Sequence, residues 1–408
     1  MRLIIDGEEL GPDELEELSS GDSNTVSLVG GNLAHEESDA DVESSSGAGT
    51  LPDVTGTETA QLQTELAAGD VVNRGVINAR LVDPDAPAII SGGRVQLQGN
   101  RIAQAGEIRA DGKTGDGGQI LIYGDEMVVL KNFSITSADG GPNGDGGQII
   151  IFADNHAHVG ETLTLQARGG AQDGAGGFIE TSGLESFHIG STPDVTAPAG
   201  PAGTWLIDPH NITINNMVTT GIDTNDNTDP LFWPTTANNA VLNIDTLIAG
   251  LMGGASVEIM TATGGNPNQG DITLAADLDY NDIGTGGTLT LNAARDIDIS
   301  GRIYDSNAMD DNLSVTLLAG RHIDIDEDIH TRGGDVILNA ELGGGAPNGR
   351  INQTGGSIDT GGGTVSFSAG ANVTLDEAQN RLHVIEGVTS DGSITIVDQG
   401  DLVIGDTL

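Results

Sequence analysis

The chain has 408 residues, with 61 acidic against 15 basic side chains, a formal charge of −46, 62 glycines, few aromatics and no cysteine. A surface of this sign repels phosphate backbones and anionic lipid, which argues against nucleic-acid and membrane-surface binding, and no apolar run reaches the roughly 18 residues needed for membrane insertion. Disulfides and thiol chemistry are excluded, and only Lys113 and Lys131 are lysines, a composition suited to solubility in high salt or to divalent cations held in Asp-rich turns.

Residues 1–60 carry fifteen acids against the single Arg2. This acidic N-terminal extension is expected to be partly flexible or strand-donating, because Thr25–Val29 alternates well enough to join a neighbouring sheet, as do Leu3, Ile4 and Ile5. Residues 11–18, with Pro12 near the first position, fit one short helix, and residues 59–68 fit a second that caps the solenoid. The first eight residues hold an apolar run too short for the core of a signal peptide, so the signal of a secreted protein would lie outside this numbering.

From residue 61 to 214 short apolar strands recur between glycines. Pairs at Gly117-Gly118, Gly146-Gly147 and Gly176-Gly177 each open a strand, and the second glycines are 29 and then 30 residues apart. A fixed period of this size predicts one supersecondary unit stacked on copies of itself, and strand-rich units of this length predict an all-β parallel β-helix, a β-solenoid. Over 215–255 the rhythm gives way to a loop and a short inserted helix, with Asp245 or Thr246 as its N-cap and Gly253-Gly254 as its stop, expected on the outside of the solenoid. A second β-helical part occupies 256–408. Its strands begin at Ile272, Leu289, Val315, Val336, Val365 and Ile394, in steps of 17, 26, 21, 29 and 29 that suggest turns of variable length. A companion set, Ile297-Asp298-Ile299, Ile323-Asp324-Ile325, Val373-Thr374-Leu375 and Leu402-Val403-Ile404, alternates with polar residues that should face outward.

Gly176-Gly177-Phe178-Ile179-Glu180-Thr181-Ser182-Gly183, followed by Ala202-Gly203-Thr204-Trp205-Leu206-Ile207-Asp208-Pro209-His210-Asn211-Ile212-Thr213-Ile214, resembles the signature of filamentous-haemagglutinin-like large exoproteins. The runs 245–251, 270–274 and 288–297 are similar to the same family, and the likeness covers roughly residues 71–408. The resemblance implies a single-stranded right-handed parallel β-helix passenger of a two-partner secretion system. Such a passenger passes an outer-membrane transporter and acts as an adhesin on the cell surface, or outside the cell, of a Gram-negative-type bacterium. Its partners would be glycans or proteins of host or neighbouring cells. The Asn-Pro-Asn-Gly type motifs of the family's secretion domain have no counterpart here. An alternative is self-association into an extracellular filament, by head-to-tail stacking of coils or by strand donation.

Trp205 through Pro209 reads as a buried aromatic anchor with Asp-Pro closing a strand. Asp223, Asn225, Asn227 and Asp229 place oxygen ligands at alternate positions, as in a calcium loop, although Thr228 stands where that loop has glycine and Pro234 where it has its final ligand. They are the candidate metal site; no cofactor is otherwise required. The Asp-rich turns at 111–116 and 139–145 read as plain turns. His156 and His158 share one strand face and, with no third ligand evident, read as surface histidines. Parallel β-helices also carry polysaccharide lyases and hydrolases, but acids scattered over every coil single out no catalytic pair, so the chain reads as a non-enzyme.

Overall fold

The computed structural model describes four strands within residues 2–36 by their backbone, and residues 70–82, 90–217, 232, 240–262, 269–284, 286–307, 311–340, 348–389 and 392–405. Two compact units result, one of Met1–Gly183, His188–Gly203 and Ile222–Thr235, the other of Leu184–Phe187, Thr204–Gly221 and Thr236–Leu408. Each is a parallel β-helix, the architecture expected from the glycine period. The two helices expected over 11–18 and 59–68 fall outside the described residues.

In the first unit each coil passes through three faces. The first pairs Arg94–Gln104, Gln119–Leu130, Gln148–Ala153 and Phe178–Gly183, with Arg94, Gln119, Gln148 and Phe178 in one register column. The two long strands shift register between Gly124 and Met127, and their second halves form the next face with His156–Val159 and Val71–Asn73. The third face stacks Val76–Asn78, Glu107–Arg109, Ile135–Ser137 and Thr164–Gln166. The strand expected to be available to a neighbour joins its own chain: Thr25–Val29 lies parallel to Arg94–Gln104, with Thr25 opposite Arg94.

Alternation then does the sorting. Val95, Ile120, Ile149 and Ile179 stack in one inward column, and Leu97, Ile122 and Ile151 in the next, all at most 1% exposed. The glycine pairs mark where coils press backbone on backbone. A Cβ on Gly118 would stand 2.0 Å from the Gly93 carbonyl oxygen, one on Gly147 would stand 2.1 Å from that of Gly118, and one on Gly177 would stand 2.1 Å from that of Gly147. The first glycine of each pair is equally confined, Gly117 against the Ala138 oxygen at 2.0 Å and Gly176 against that of Val195 at 1.9 Å. These glycines answer a lack of room, not a positive φ.

The second unit repeats the plan. Val257, Leu289, Val315, Val336, Val365 and Ile385 form the inward column of its first face, Ile272, Ile297, Ile323, Ile351 and Val373 that of the second, and Leu278, Ile303, Ile329 and Ile358 that of the third. This corrects the expected strand series. Ile272–Leu274 and Ile394–Ile396 belong to the second face, whereas Val403–Ile404 pairs with Val384–Thr389 on the first. Apolar-polar tripeptides from different faces look alike, so spacing alone mixed them.

The helix, α1, spans Ile244–Leu251 and is capped by Asn243, whose Oδ1 accepts the Asp245 amide at 2.7 Å. It is not an external addition. Ile244, Leu247, Gly250 and Leu251 are buried, and a Cβ on Gly250 would stand 2.5 Å from the Trp205 ring, so the fully buried indole lies against the helix. Gly253 and Gly254 end it at φ of 74° and 76°, a conformation that glycine adopts at no steric cost.

Gly147→Val is expected to lower the stability of the first unit by at least about 3 kcal/mol, because rigid main chain must move to admit the side chain. Urea denaturation measures it. Gly400→Ala, whose Cβ would meet only an aspartate oxygen at 3.6 Å, serves as the tolerated control.

Candidate interaction surface

The acidic turns are not plain. Asp111 accepts the Asp139 amide through Oδ1 at 3.0 Å, and Asp139 accepts the Arg168 amide at 2.8 Å, each one coil further on. A parallel series runs from Asp116 to the Asp145 amide at 2.9 Å and from Asp145 to the Ala175 amide at 2.7 Å. Turn amides have no strand partner, and a carboxylate beneath them supplies a charge-assisted one. In the second unit Asp277 accepts from the Arg302 amide and Nε, both at 3.0 Å, and Asp335 accepts the Thr364 amide at 2.8 Å.

Arginine completes these joints. Arg168 donates to Asp139 through Nη2 at 2.6 Å, Arg321 to Asp296 through Nε at 2.7 Å, and Arg350 approaches Asp324 at 3.2 Å. The Arg302 guanidinium holds the Asp277 carboxyl below its ordinary range. At Asp296 burial pushes upward, but the Arg321 hydrogen bond and charge outweigh it and the carboxyl again lies low.

Outward positions differ between the units. On the first face of the second unit they are mixed, with hydroxyls at Thr288, Thr290, Thr316, Ser366 and Ser368, amides at Asn292 and Asn339, and an exposed Ile337. On the same-numbered face of the first unit they are Leu121 and Tyr123, then Ile150 and Phe152, all half-buried. Tyr123 and Phe152 stack with centroids 5.9 Å apart and planes 15° from parallel. The Tyr123 hydroxyl donates to Asp154 at 2.9 Å, and this bond, with burial and the carboxylate charge adding, pushes the phenol up to about 12. Sequence reasoning passed over this patch. Its signal was the loss of alternation in Ile120-Leu121-Ile122-Tyr123 and Ile149-Ile150-Ile151-Phe152, where a strand solvated on one side would carry polar residues at every second place.

The histidines overturn their reading as surface residues. His156 and His158 are 9% and 6% exposed, and the His158 ring stacks on His188 at 4.7 Å and 12°. Burial, with the nearby His188 and Lys131 adding, pushes His158 down to about 3. Both sides of this strand are covered, which the sequence of the strand alone does not tell. On the same face Phe232 packs on Val72 and Ala103, under the Arg101 guanidinium 4.2 Å from its ring centre.

Trp205 is fully buried and its strand Thr204–Ile207 ends before Asp208-Pro209, as expected. Burial, with Glu258 adding against an opposing His210, raises the Asp208 carboxyl. His210 lies 3.8 Å from Glu185 and pairs through Nδ1 with the Ala262 carbonyl at 3.2 Å. The candidate calcium ligands Asp223, Asn225, Asn227 and Asp229 lie outside the described residues, and among the described residues no group of three or more potential ligands is placed to hold a metal ion. Nor, among those residues, is any helix long and apolar enough to cross a membrane. Neither a family model nor a curated protein matches the chain.

These titrations predict the acid response. His158 is neutral when folded down to about pH 3, so below the ordinary 6.5 the unfolded chain takes up a proton that the folded chain refuses, and stability falls with pH across that window. The loss reaches roughly 3 kcal/mol by pH 4. Asp277 and Asp296 contribute fully above the ordinary 3.8, and their share is lost as pH falls through their lower folded values. His158→Phe, which keeps a stacked ring, should flatten the curve of Tm against pH between 6.5 and 4 while leaving the steeper loss below 4; an unchanged slope above 4 would contradict the assignment.

Proposed function

We propose that the chain is an extracellular structural and adhesive passenger of the filamentous-haemagglutinin type, exported through an outer-membrane transporter. The observation that carries this reading is the use of the polar side chains. Turn aspartates and arginines join one coil to the next, which builds long walls and displayed turns instead of converging on a cleft. The resemblance at residues 176–214 supports it, since Gly176, Gly177 and Trp205 are residues on which the stacking depends. Attachment would be to glycans or proteins of host or neighbouring cells, through turns and outward faces. A calcium ion at Asp223, Asn225, Asn227 and Asp229 would add to this scaffold without being needed by the coils described.

Purified chain is expected to bind cells or arrayed surface glycans saturably while leaving polysaccharides at their original length. Cleavage of a polysaccharide, abolished by Asp208→Asn with melting unchanged, would overturn the reading in favour of an enzyme that uses the raised Asp208 carboxyl as its acid.

A further inference from the structure

The half-buried patch on the first unit has a symmetry of its own. The second and third strands of the face supply its centre, Leu121 and Tyr123 from one and Ile150 and Phe152 from the other, flanked by Gln119 and Gln148. Up to the register shift, the outward positions of these four strands hold one cation, Arg94, and one anion, Glu180. Exposed Asp125 and Glu126 follow soon after Tyr123 and Asp154 accepts its hydroxyl, so acids border the patch at that end. For a chain carrying −46 the centre of this surface is sparsely charged, with acids at its Tyr123 end.

We infer that this face is a contact between two copies of the chain, packed sheet on sheet about a two-fold axis running along the strands. Rotation about that axis sets the second strand of one copy over the third of the other. Leu121 then faces Ile150, Tyr123 faces Phe152, and Gln119 faces Gln148, each contact occurring twice. The first strand lies over the last, which brings Arg94 above Phe178 with Glu180 one outward position along. The same residues thus serve as both halves of a self-complementary interface.

Two further features favour a second copy over other occupants. A sugar ring stacks on an open aromatic face, but Tyr123 and Phe152 stack on each other, so each covers part of the other's face. At the centre of the patch a strongly charged partner would find no charged side chain to pair with. Between two copies the apolar centre makes the contact, and the acids at the Tyr123 end of each copy border it. Six-residue strands and four coils span about 20 Å by about 19 Å, or roughly 400 Å² a side and about 800 Å² in all, below the size of standard specific interfaces and in the range of weak, transient association. Salt should strengthen it, by screening the repulsion between the acidic remainders.

The test is sedimentation of the full chain over a range of concentrations at low salt and at about 0.5 M NaCl, where the Debye length is only a few ångströms. A monomer–dimer equilibrium that tightens with salt is expected. Ile150→Lys should weaken it at least about tenfold, as loss of a central contact does, and Leu121→Glu should do the same, whereas Thr290→Lys on the second unit should leave it unchanged. Mixing the Ile150→Lys and Leu121→Glu chains should restore association, because the two-fold places the new lysine opposite the new glutamate. Melting curves confirm that each variant is folded, and the salt dependence of the unaltered chain tests the proposal without any substitution. A chain that stays monomeric at every concentration and salt, variants that dimerise as before, or no rescue on mixing would each overturn it. So would binding of a neutral oligosaccharide by a monomeric chain that Ile150→Lys removes.

Discussion

The fold depends on how closely one coil lies on the next at the turn that opens the first face. The Gly118 carbonyl oxygen occupies space within 2.1 Å of where a Cβ of Gly147 would be, and the Gly147 oxygen stands in the same relation to Gly177. Such a column admits only hydrogen at Cα. Once the turn is fixed at that separation, the strands after it must fall into register, Ile120 over Ile149 over Ile179, and the inward column is closed to solvent. A core one coil thick cannot stabilise itself, so each coil relies on the next for its apolar contacts and for its main-chain hydrogen bonds.

Close stacking also explains how so acidic a chain holds together. Stacking identical turns would bring aspartates of adjacent coils into columns, Asp111 below Asp139 and Asp116 below Asp145, and like charges in a column repel. Here each carboxylate is turned towards an amide of the next turn, and at several positions an arginine completes the joint. Repulsion is exchanged for charge-assisted hydrogen bonds. Much of the negative charge is therefore part of the framework, in addition to whatever it does for solubility. The apolar centre of the patch on the first unit departs from this acidic surface, and it is there that we place the approach of another copy.

Much of this was legible in the sequence, and the limits have physical causes. The glycine pairs and the short apolar strands were enough for a parallel β-helix, because period and strand length are local properties. Face assignment was not: Ile272–Leu274 and Leu289-Thr290-Leu291 have the same alternation yet lie on different faces, since alternation reports only inside against outside. The buried state of His158 and the inward seat of α1 depend on what covers them from elsewhere in the chain. Asn243 was overlooked as the N-cap in favour of Asp245 and Thr246, all three being good caps by type, and only the turn geometry decides. The outward patch was visible as broken alternation, a signal that two-sided burial also produces.

The framework displays turns that vary between coils, an outward face that is mixed in one unit and apolar at its centre in the other, and a Trp205 block that ties α1 into the stack. The joining of one acidic turn to the next rests on the turn carboxylates being ligands of the next coil's amides, and amide hydrogen exchange reads this directly. At neutral pH the amides of Asp139, Asp145, Arg168 and Ala175 should be protected like strand amides, and Asp116→Ala should release the Asp145 amide one coil on while leaving Asp139 protected. Free exchange at all four in the unaltered chain, or an Asp145 amide indifferent to the loss of Asp116, would contradict it.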